Sequence, residues 1–247
     1  MPCWPDASLL KPAVSPGNST RQRAALSKAC CRICDHVAMA GRVDFSFYLI
    51  TDRHQVCEGT LPEVCSAALR AGVRAIQLRE KDLPTRPLLS LARELARLAS
   101  VHAARIVIND RIDLALVLAT QAVHLPAWGA SPSVARQLLG ESALIGSSAH
   151  SADEAVRAEG AGADFVVLGP IFETPSKRAF GPPIGLAELE RAQRRCKIPL
   201  FGIGGITIER VRDVRRAGAH GVAVVGSVMG ARDVERVCAD FLRVLKS

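Results

Sequence analysis

From Phe45 onward the apolar residues follow two patterns that alternate along the chain. Short apolar runs, such as Asp164–Leu168, predict buried β-strands, whereas apolar residues spaced three or four apart, as in Pro87–Ser100, predict amphipathic helices. The predicted strands cover Phe45–Thr51, Arg74–Arg79, Arg105–Asn109, Ala122–Leu125, Leu144–Ser147, Asp164–Leu168, Pro199–Ile203 and Gly221–Val225. The predicted helices cover Pro62–Ala71, Pro87–Ser100, Ile112–Ala119, Ser131–Leu139, Ser151–Gly160, Leu186–Arg195, Thr207–Gly218 and Arg232–Lys246.

Regular alternation of strand and helix with short connections implies a parallel sheet, and eight such units imply closure of that sheet. The predicted fold is α/β, a (β/α)8 TIM barrel that forms one catalytic domain over residues 45–247. A doubly wound open sheet is the alternative, but its glycine-rich fingerprint would follow the first strand, where Thr51-Asp52-Arg53-His54 stands. Residues 1–44 are rich in proline and predict a flexible or loosely packed N-terminal extension.

Composition narrows the class of ligand. The formal net charge is +8, but the cations are spread over the predicted helices and aromatic residues make up only 4% of the chain. Nucleic-acid binding would need a denser basic surface, so we expect an anionic small molecule and no nucleic acid. No apolar run approaches the roughly 20 residues that a membrane span requires, and we expect no membrane contact. The oligomeric state is left open, with a homo-oligomer among the alternatives.

The eight cysteines do not form a recognisable metal or disulfide framework. Cys30, Cys31 and Cys34 contain one Cys-x-x-Cys pair, but no second pair follows at zinc-finger spacing. The remaining cysteines fall mostly in helical patterns. We therefore interpret them as reduced thiols and predict a cytoplasmic protein.

Side chains with useful chemistry follow nearly every predicted strand. In a parallel barrel the active site lies at the carboxyl ends of the strands. The residues at those ends are Thr51 and Asp52; Gln77, Arg79 and Lys81; Asn109, Asp110 and Arg111; His124 and Trp128; Ser147, Ser148 and His150; Thr174, Ser176 and Lys177; Gly204, Gly205 and Thr207; and Gly226 and Ser227.

Two anion sites are expected on this rim. The glycines at 204, 205 and 226 leave backbone N–H groups accessible to a monophosphate, and the helix predicted from Thr207 adds its dipole. Arg79, Lys81 and Lys177, with Asp110 and Mg²⁺, suit a diphosphate, because Mg²⁺ commonly bridges a carboxylate and phosphate oxygens. The alternative is that Arg79 and Lys81 form surface ion pairs with Glu80 and Asp82.

Seven segments, in this order and spacing, resemble the thiamine phosphate synthase and thiazole tautomerase family. They are Tyr48-Leu49-Ile50-Thr51-Asp52, Gln77-Leu78-Arg79-Glu80-Lys81, Asn109-Asp110-Arg111-Ile112-Asp113-Leu114-Ala115, Val123-His124-Leu125, Ile145-Gly146-Ser147-Ser148-Ala149-His150-Ser151, Gly169-Pro170-Ile171-Phe172 with Thr174 and Lys177, and Ile203-Gly204-Gly205-Ile206. The resemblance extends from about Phe45 to the end of the chain.

The resemblance implies a transferase that moves a hydroxymethylpyrimidine group from its diphosphate to the nitrogen of a thiazole phosphate and releases pyrophosphate. Pyrophosphate would leave first, with its charge stabilised by Mg²⁺ and cations. By position, the diphosphate would be held by Gln77, Arg79, Lys81, Asn109 and Lys177, and Mg²⁺ by Asp110. Ser148 would touch the diphosphate or the pyrimidine, and the thiazole phosphate would be bound by Thr174, Gly205, Val225 and Gly226. The groups expected to act in catalysis are Arg79, Lys81, Lys177 and Ser148.

Three places depart from the family pattern. Gly129 stands where the synthase branch carries the second aspartate for Mg²⁺, and Leu125-Pro126 is more typical of the tautomerase branch. Pro170 occupies the place of the tautomerase's catalytic histidine. A tautomerase-type isomerase that acts on a thiazole carboxylate phosphate, and a non-catalytic phosphate-ligand binder, therefore remain alternatives.

Three further side chains are left with two interpretations each. His150 is either an acid–base group or a hydrogen-bonding residue of its loop. We expect His124 to point into the barrel as a structural or substrate-lining group. Trp128 either closes over the pyrimidine or packs between its loop and a helix.

Overall fold

The computed structural model describes residues 43–174 and 181–246. Its eight strands pair in parallel and in chain order, and β8 closes the barrel against β1. The strands are Phe47–Ile50 (β1), Ala75–Leu78 (β2), Arg105–Asn109 (β3), Ala122–Leu125 (β4), Leu144–Ala149 (β5), Phe165–Leu168 (β6), Leu200–Ile203 (β7) and Gly221–Val224 (β8). The α-helices are Leu61–Arg70 (α1), Thr85–Val101 (α2), Ile112–Leu118 (α3), Pro132–Leu139 (α4), Ala152–Gly160 (α5), Gly185–Gln193 (α6), Val211–Arg216 (α7), Gly226–Met229 (α8) and Val234–Lys246 (α9).

Alternate strand residues divide between two buried clusters. One cluster fills the barrel with residues such as Tyr48, Val107, Phe165 and Phe201. The other joins the outer faces of the strands to the helices, and Leu49 belongs to it. This division follows from the two-residue period of a strand, which sends successive side chains to opposite faces. The same period carries polar residues of the strand ends into the mouth of the barrel.

The structure confirms the predicted barrel and excludes the open doubly wound sheet. Most element boundaries lie within two residues of the predicted ones. The helix predicted from Thr207 begins only at Val211, because residues 207–210 form turns. There the Arg210 side chain donates a hydrogen bond back to the Gly205 carbonyl at 2.6 Å. The helix N-terminus expected at Thr207, with its dipole, therefore lies about one turn further along the chain. The short helix α8 was not predicted.

Several sequence-based predictions fall outside the described residues. The N-terminal extension apart from Val43 and Asp44, the Cys30, Cys31 and Cys34 cluster, and Lys177 with Ser176 are among them. The four described cysteines are free thiols, of which Cys65 and Cys238 are buried. No helix within the described ranges is long and apolar enough to cross a membrane.

Candidate active site

His124 lies on the floor of the barrel mouth and is almost fully buried. Its Nε2 is 2.9 Å from the hydroxyl oxygen of Ser148 on the neighbouring strand. Burial lowers the pKa of His124 to about 3, and the charge of Arg79 contributes in the same direction. The imidazole is therefore neutral at ordinary pH, as expected for a residue that points into the barrel.

Gly146 makes room for this imidazole. A methyl group at Gly146 would lie 2.6 Å from Nδ1 of His124 and closer still to Cζ of Phe165. Both rings face the same strand position, since the barrel is narrow there. The glycine therefore allows an aromatic side chain and a polar ring to pack side by side beneath the mouth.

Within the described part of the chain, three buried polar atoms around His124 lack a well-formed hydrogen bond. They are the Tyr48 hydroxyl, Nε2 of Gln77 and Nδ1 of His124. Burial raises the pKa of Tyr48 well above its ordinary value, an effect partly offset by the nearby Gln77 amide. Because buried polar atoms are normally paired, this group of unpaired atoms indicates a place where a polar ligand completes the hydrogen bonding.

Beside this polar floor, a cavity of about 210 Å³ opens between the ends of β2, β3 and β4. Its polar lining includes Lys81, Asn109, Asp110 and Arg111. Asp110 has a left-handed backbone with φ of 64°, and its N–H donates to the His124 carbonyl. Non-glycine residues in this conformation are uncommon, aspartate and asparagine being among those that adopt it most often, and they concentrate at functional sites.

The Pro126–Gly129 turn forms another wall of the cavity. The Gly129 N–H donates to the Pro126 carbonyl at 2.9 Å, and a methyl group at Gly129 would lie 2.9 Å from the Pro126 ring and 3.0 Å from Oδ1 of Asp110. With Pro126 in this conformation, the turn has no room for a side chain at position 129. In this chain no second carboxylate approaches Asp110 from that position.

Trp128 projects from the same turn and is 74% exposed. The ammonium of Lys81 lies 5.7 Å from the centre of its ring, which is within cation–π distance. This exposure contradicts the interpretation that Trp128 packs between its loop and a helix. The residue instead stands at the rim of the cavity, where it can contact a bound ligand.

The opposite part of the rim is formed by the loops after β6, β7 and β8. Gly204 and Gly205 have φ of 95° and 62°, and a methyl group at Gly205 would lie 2.6 Å from the Glu173 carbonyl oxygen. The N–H of Ile171 donates to Ile203 and the N–H of Phe172 to Gly204, at 2.7 and 3.1 Å. The loop that carries Thr174 is therefore joined directly to the glycine turn of β7.

A side-chain hydrogen bond joins the last two of these loops. The Ser227 hydroxyl donates to the Ile206 carbonyl at 2.7 Å. Val225 and Gly226 lie between β8 and this serine. The backbone positions predicted for the thiazole phosphate thus share one side of the mouth.

Ion pairs on the β1 and β2 loops differ from the surface alternative stated above. Glu80 and Asp82 both pair with Arg53, at 3.2 and 2.5 Å, and Asp82 is also 2.9 Å from His54. The pKa of Asp82 is lowered, chiefly by its hydrogen bond to Arg53. Arg53, which sequence reasoning did not include, therefore pairs with both carboxylates. This pairing is compatible with the proposal that Arg79 and Lys81 bind a ligand.

The predicted site residues thus fall into two groups on one rim. Gln77, Arg79, Lys81, Asn109, Asp110 and Ser148 lie on the β2–β5 side, and Thr174, Gly205, Val225 and Gly226 on the β6–β8 side. His150 lies outside both groups: it is exposed, and its backbone N–H donates to Glu154 at 2.7 Å, as in a helix cap. Sequence reasoning did not include Tyr48 among the site residues, although it opens the first segment of the family resemblance. It also missed the buried partners of Glu80, which no spacing rule reveals.

Among the described residues, no group of three or more histidine, cysteine, aspartate or glutamate side chains is arranged to hold a metal ion. Two of the residues that line the cavity carry a carboxylate, Asp110 directly after β3 and Glu80 after β2, and both oxygens of Glu80 are engaged by Thr51 and Arg53. Mg²⁺ often binds through one or two carboxylates and completes its shell with water and substrate phosphates. The donor set therefore fits a Mg²⁺ ion that is held jointly by Asp110 and a diphosphate.

Comparisons with known proteins agree with this geometry. The family model of thiamine monophosphate synthase matches residues 47–228. A thiamine-phosphate synthase from Roseiflexus sp. is 42% identical over 188 residues, which cover 76% of this chain and 80% of the relative. One from Moorella thermoacetica is 44% identical over 172 residues, covering 70% of this chain and 82% of the relative.

A solved structure supports the same assignment. The thiamine phosphate pyrophosphorylase from Pyrococcus furiosus superposes with a TM-score of 0.75 at 33% identity, covering 83% of this chain and 97% of that one. The family resemblance of the sequence motifs is thereby confirmed. The chain belongs to the thiamine monophosphate synthase family.

Proposed function

We propose that this protein is a thiamine-phosphate synthase. It transfers the hydroxymethylpyrimidine group from its diphosphate to the ring nitrogen of a thiazole phosphate and releases pyrophosphate. The observation that carries the proposal is the adjacency of a buried, unsatisfied polar floor at Tyr48, Gln77 and His124 to a cavity lined by Lys81 and Asp110. A donor with a polar ring and a diphosphate matches both parts.

The donor ring binds on the polar floor. Aminopyrimidines carry ring-nitrogen acceptors and amino donors, which complement an amide N–H, a phenol and a neutral imidazole. We therefore keep Gln77 in the donor site and propose that its amide faces the ring, since its side chain is only 1% exposed. Ser148, fixed by His124, lies where it can touch the ring or the first phosphate.

The diphosphate binds in the cavity. Lys81 and Asn109 line it, Arg79 lies close enough to influence the His124 charge, and Lys177 is retained as a ligand from the sequence pattern. Asp110 would hold Mg²⁺, which supplies neutralisation of the charge that develops on the departing pyrophosphate. Fixed donors aimed at that charge are usually the largest contribution to such a reaction.

The thiazole phosphate binds on the β6–β8 side. Gly205, Val225 and Gly226 offer backbone groups, and Thr174 offers a hydroxyl from the loop bonded to β7. Once pyrophosphate has left on the other side, the acceptor nitrogen captures the pyrimidinylmethyl cation from this side.

The residues after β6 do not suit the isomerase alternative. The residue after Gly169 is a proline, which offers no acid–base group, and the curated relatives compared above are named as synthases. The cytoplasmic location stays a prediction.

The test uses the purified full chain with both substrates and Mg²⁺. We expect thiamine phosphate and pyrophosphate to form in equal amounts, and chelation of Mg²⁺ to stop the reaction. Binding of the thiazole phosphate with no turnover under any condition would overturn the proposal. The isomerase substrate serves as the control, and we expect no change in it.

A further inference from the structure

The carboxylate of Glu80 is buried between two proposed diphosphate ligands, Arg79 and Lys81. Its side chain is 1% exposed. It accepts the Thr51 hydroxyl at 2.7 Å, the backbone N–H of Arg53 at 3.2 Å and the Arg53 guanidinium at 3.2 Å. A charge taken out of water needs such partners, and here they all come from the loop that follows β1.

Thr51 connects this carboxylate to the backbone of Arg79. The N–H of Arg79 donates to the Thr51 hydroxyl oxygen at 2.9 Å. A hydroxyl has one hydrogen, and an ionised carboxylate can only accept. The Thr51 hydrogen therefore points to Glu80, which leaves its lone pairs directed at the N–H of Arg79.

The connection continues the pairing of β1 and β2 beyond the last residues of the two strands. The Thr51 N–H donates to the Gln77 carbonyl at 2.9 Å, and the Thr51 hydroxyl oxygen accepts the N–H of Arg79, which lies directly after β2. The chain at residues 79–81 is thus fixed where it enters the mouth. Its direction there sets where the Arg79 and Lys81 side chains begin.

We propose that Glu80 is a positioning residue for the diphosphate site, acting through Thr51 on the backbone that presents Arg79 and Lys81. Glu80 lines the cavity, but both of its carboxylate oxygens are held by Thr51 and Arg53, so it acts on the backbone and not as a ligand of the substrate. This role rests on the proposed synthase function. Displacement of a binding group by about 1 Å can reduce activity by up to about 100-fold, so the positioning has a measurable consequence.

The first experiment measures positioning without any ligand. Thr51→Val removes the hydroxyl, and Glu80→Gln replaces one accepting oxygen with an NH2 group, so that Thr51 and Arg53 compete for the single oxygen that is left. We expect each variant to speed hydrogen exchange at the Arg79 amide. Thr51→Ser keeps the hydroxyl and should leave that exchange as in the wild type. Unchanged exchange in Glu80→Gln and Thr51→Val overturns the proposal.

The second experiment measures Mg²⁺-dependent binding of inorganic pyrophosphate by calorimetry, together with kcat and KM for the donor. We expect Glu80→Gln to weaken pyrophosphate binding by about 10- to 100-fold. Thr51→Val should do the same, and the double variant should be no weaker than either single variant, because both act through one connection. Additive losses overturn the connection, and wild-type binding in Glu80→Gln overturns the role.

Asp164→Asn is the matched control. Asp164 is a largely buried carboxylate at the other end of the barrel, where it accepts the Ile145 N–H at 2.7 Å and Arg136 at 2.8 Å. We expect this variant to lower the melting temperature, as Glu80→Gln does, but to bind pyrophosphate like the wild type. A parallel loss of binding in both variants overturns a positioning role for Glu80. Failure of the wild type to bind pyrophosphate overturns the synthase function and the positioning role with it, whereas normal wild-type binding with an unaffected Glu80→Gln overturns the positioning role alone.

Discussion

Replacement of Gly146 by alanine would place a methyl group in occupied space. It would lie 2.6 Å from Nδ1 of His124 and 2.7 Å from Cε1 of Phe165, neither of which is a flexible chain end. Overpacking of this kind typically destabilises a core by about 1–3 kcal/mol. In a domain of this size each kcal/mol lowers the melting temperature by roughly 2–4 °C, so we expect a fall of roughly 2–12 °C.

The same substitution should also reduce activity, because the His124 ring can yield only by leaving Ser148. We expect kcat/KM for the pyrimidine diphosphate to fall at least about tenfold, with little change in KM for the thiazole phosphate. Thermal unfolding and steady-state kinetics measure the two effects. Gly160→Ala is the control: nothing lies within 4 Å of its added methyl group. That variant should be as stable as the wild type or more so, by up to about 1 kcal/mol. Normal stability and kinetics in Gly146→Ala would refute this account of the barrel floor.

Three other substitutions probe the donor site. Asp110→Asn keeps a residue that tolerates the left-handed backbone but removes the charge, so we expect near-normal melting and a loss of about 10²–10³ in transfer rate, measured at saturating Mg²⁺. Burial lowers the pKa of His124 to about 3 from 6.5, so the unfolded chain binds the extra proton between these values. The stability contributed by neutral His124 is complete above pH 6.5 and is lost as the pH falls, by about 1.4 kcal/mol per unit. In urea unfolding across this range, His124→Asn should show a shallower decline than the wild type, and an identical slope would contradict the burial argument. Pyrophosphate with Mg²⁺ should change the tryptophan emission of the wild type but not of Trp128→Phe, and a persistent signal in the variant would show that Trp128 does not report on the cavity.

The sequence predicted the barrel because every strand carried a short apolar run with a helix after it. The β3 and β4 boundaries, at Arg105–Asn109 and Ala122–Leu125, match the prediction residue for residue. The predicted start of α7 was wrong. Ile206 and Ile208 continue the apolar spacing of the helix, but the glycine turn and the contact of Arg210 with the Gly205 carbonyl keep this part of the backbone non-helical. The spacing of apolar residues shows which face of a segment is buried, but it does not show that a local turn or side-chain contact prevents the helix from forming.

The site was predictable as a set of strand ends and much less so as a set of contacts. His124 was expected to point inward, yet nothing in the sequence shows that Ser148 would be its partner or that Gly146 would make space for it. From the sequence, Glu80 entered only the alternative of a surface ion pair, because it lies between Arg79 and Lys81. Only the fold brings Thr51 and Arg53 to it from 27 to 29 residues away.

The two halves of the mouth come from separate runs of chain. Apart from Lys177, the proposed donor residues all lie at or before Ser148, and the proposed acceptor half begins after β6. A recombination event within α5 would therefore pass on the donor residues up to Ser148 intact and exchange the rest as a block. Such a hybrid must preserve the contact between β5 and β6, where Gly146 pairs with Phe165. The new β6 needs a side chain at this position that fits against the glycine. A new block that keeps a lysine at position 177 could in this way change the acceptor preference while the donor residues before α5 stay the same.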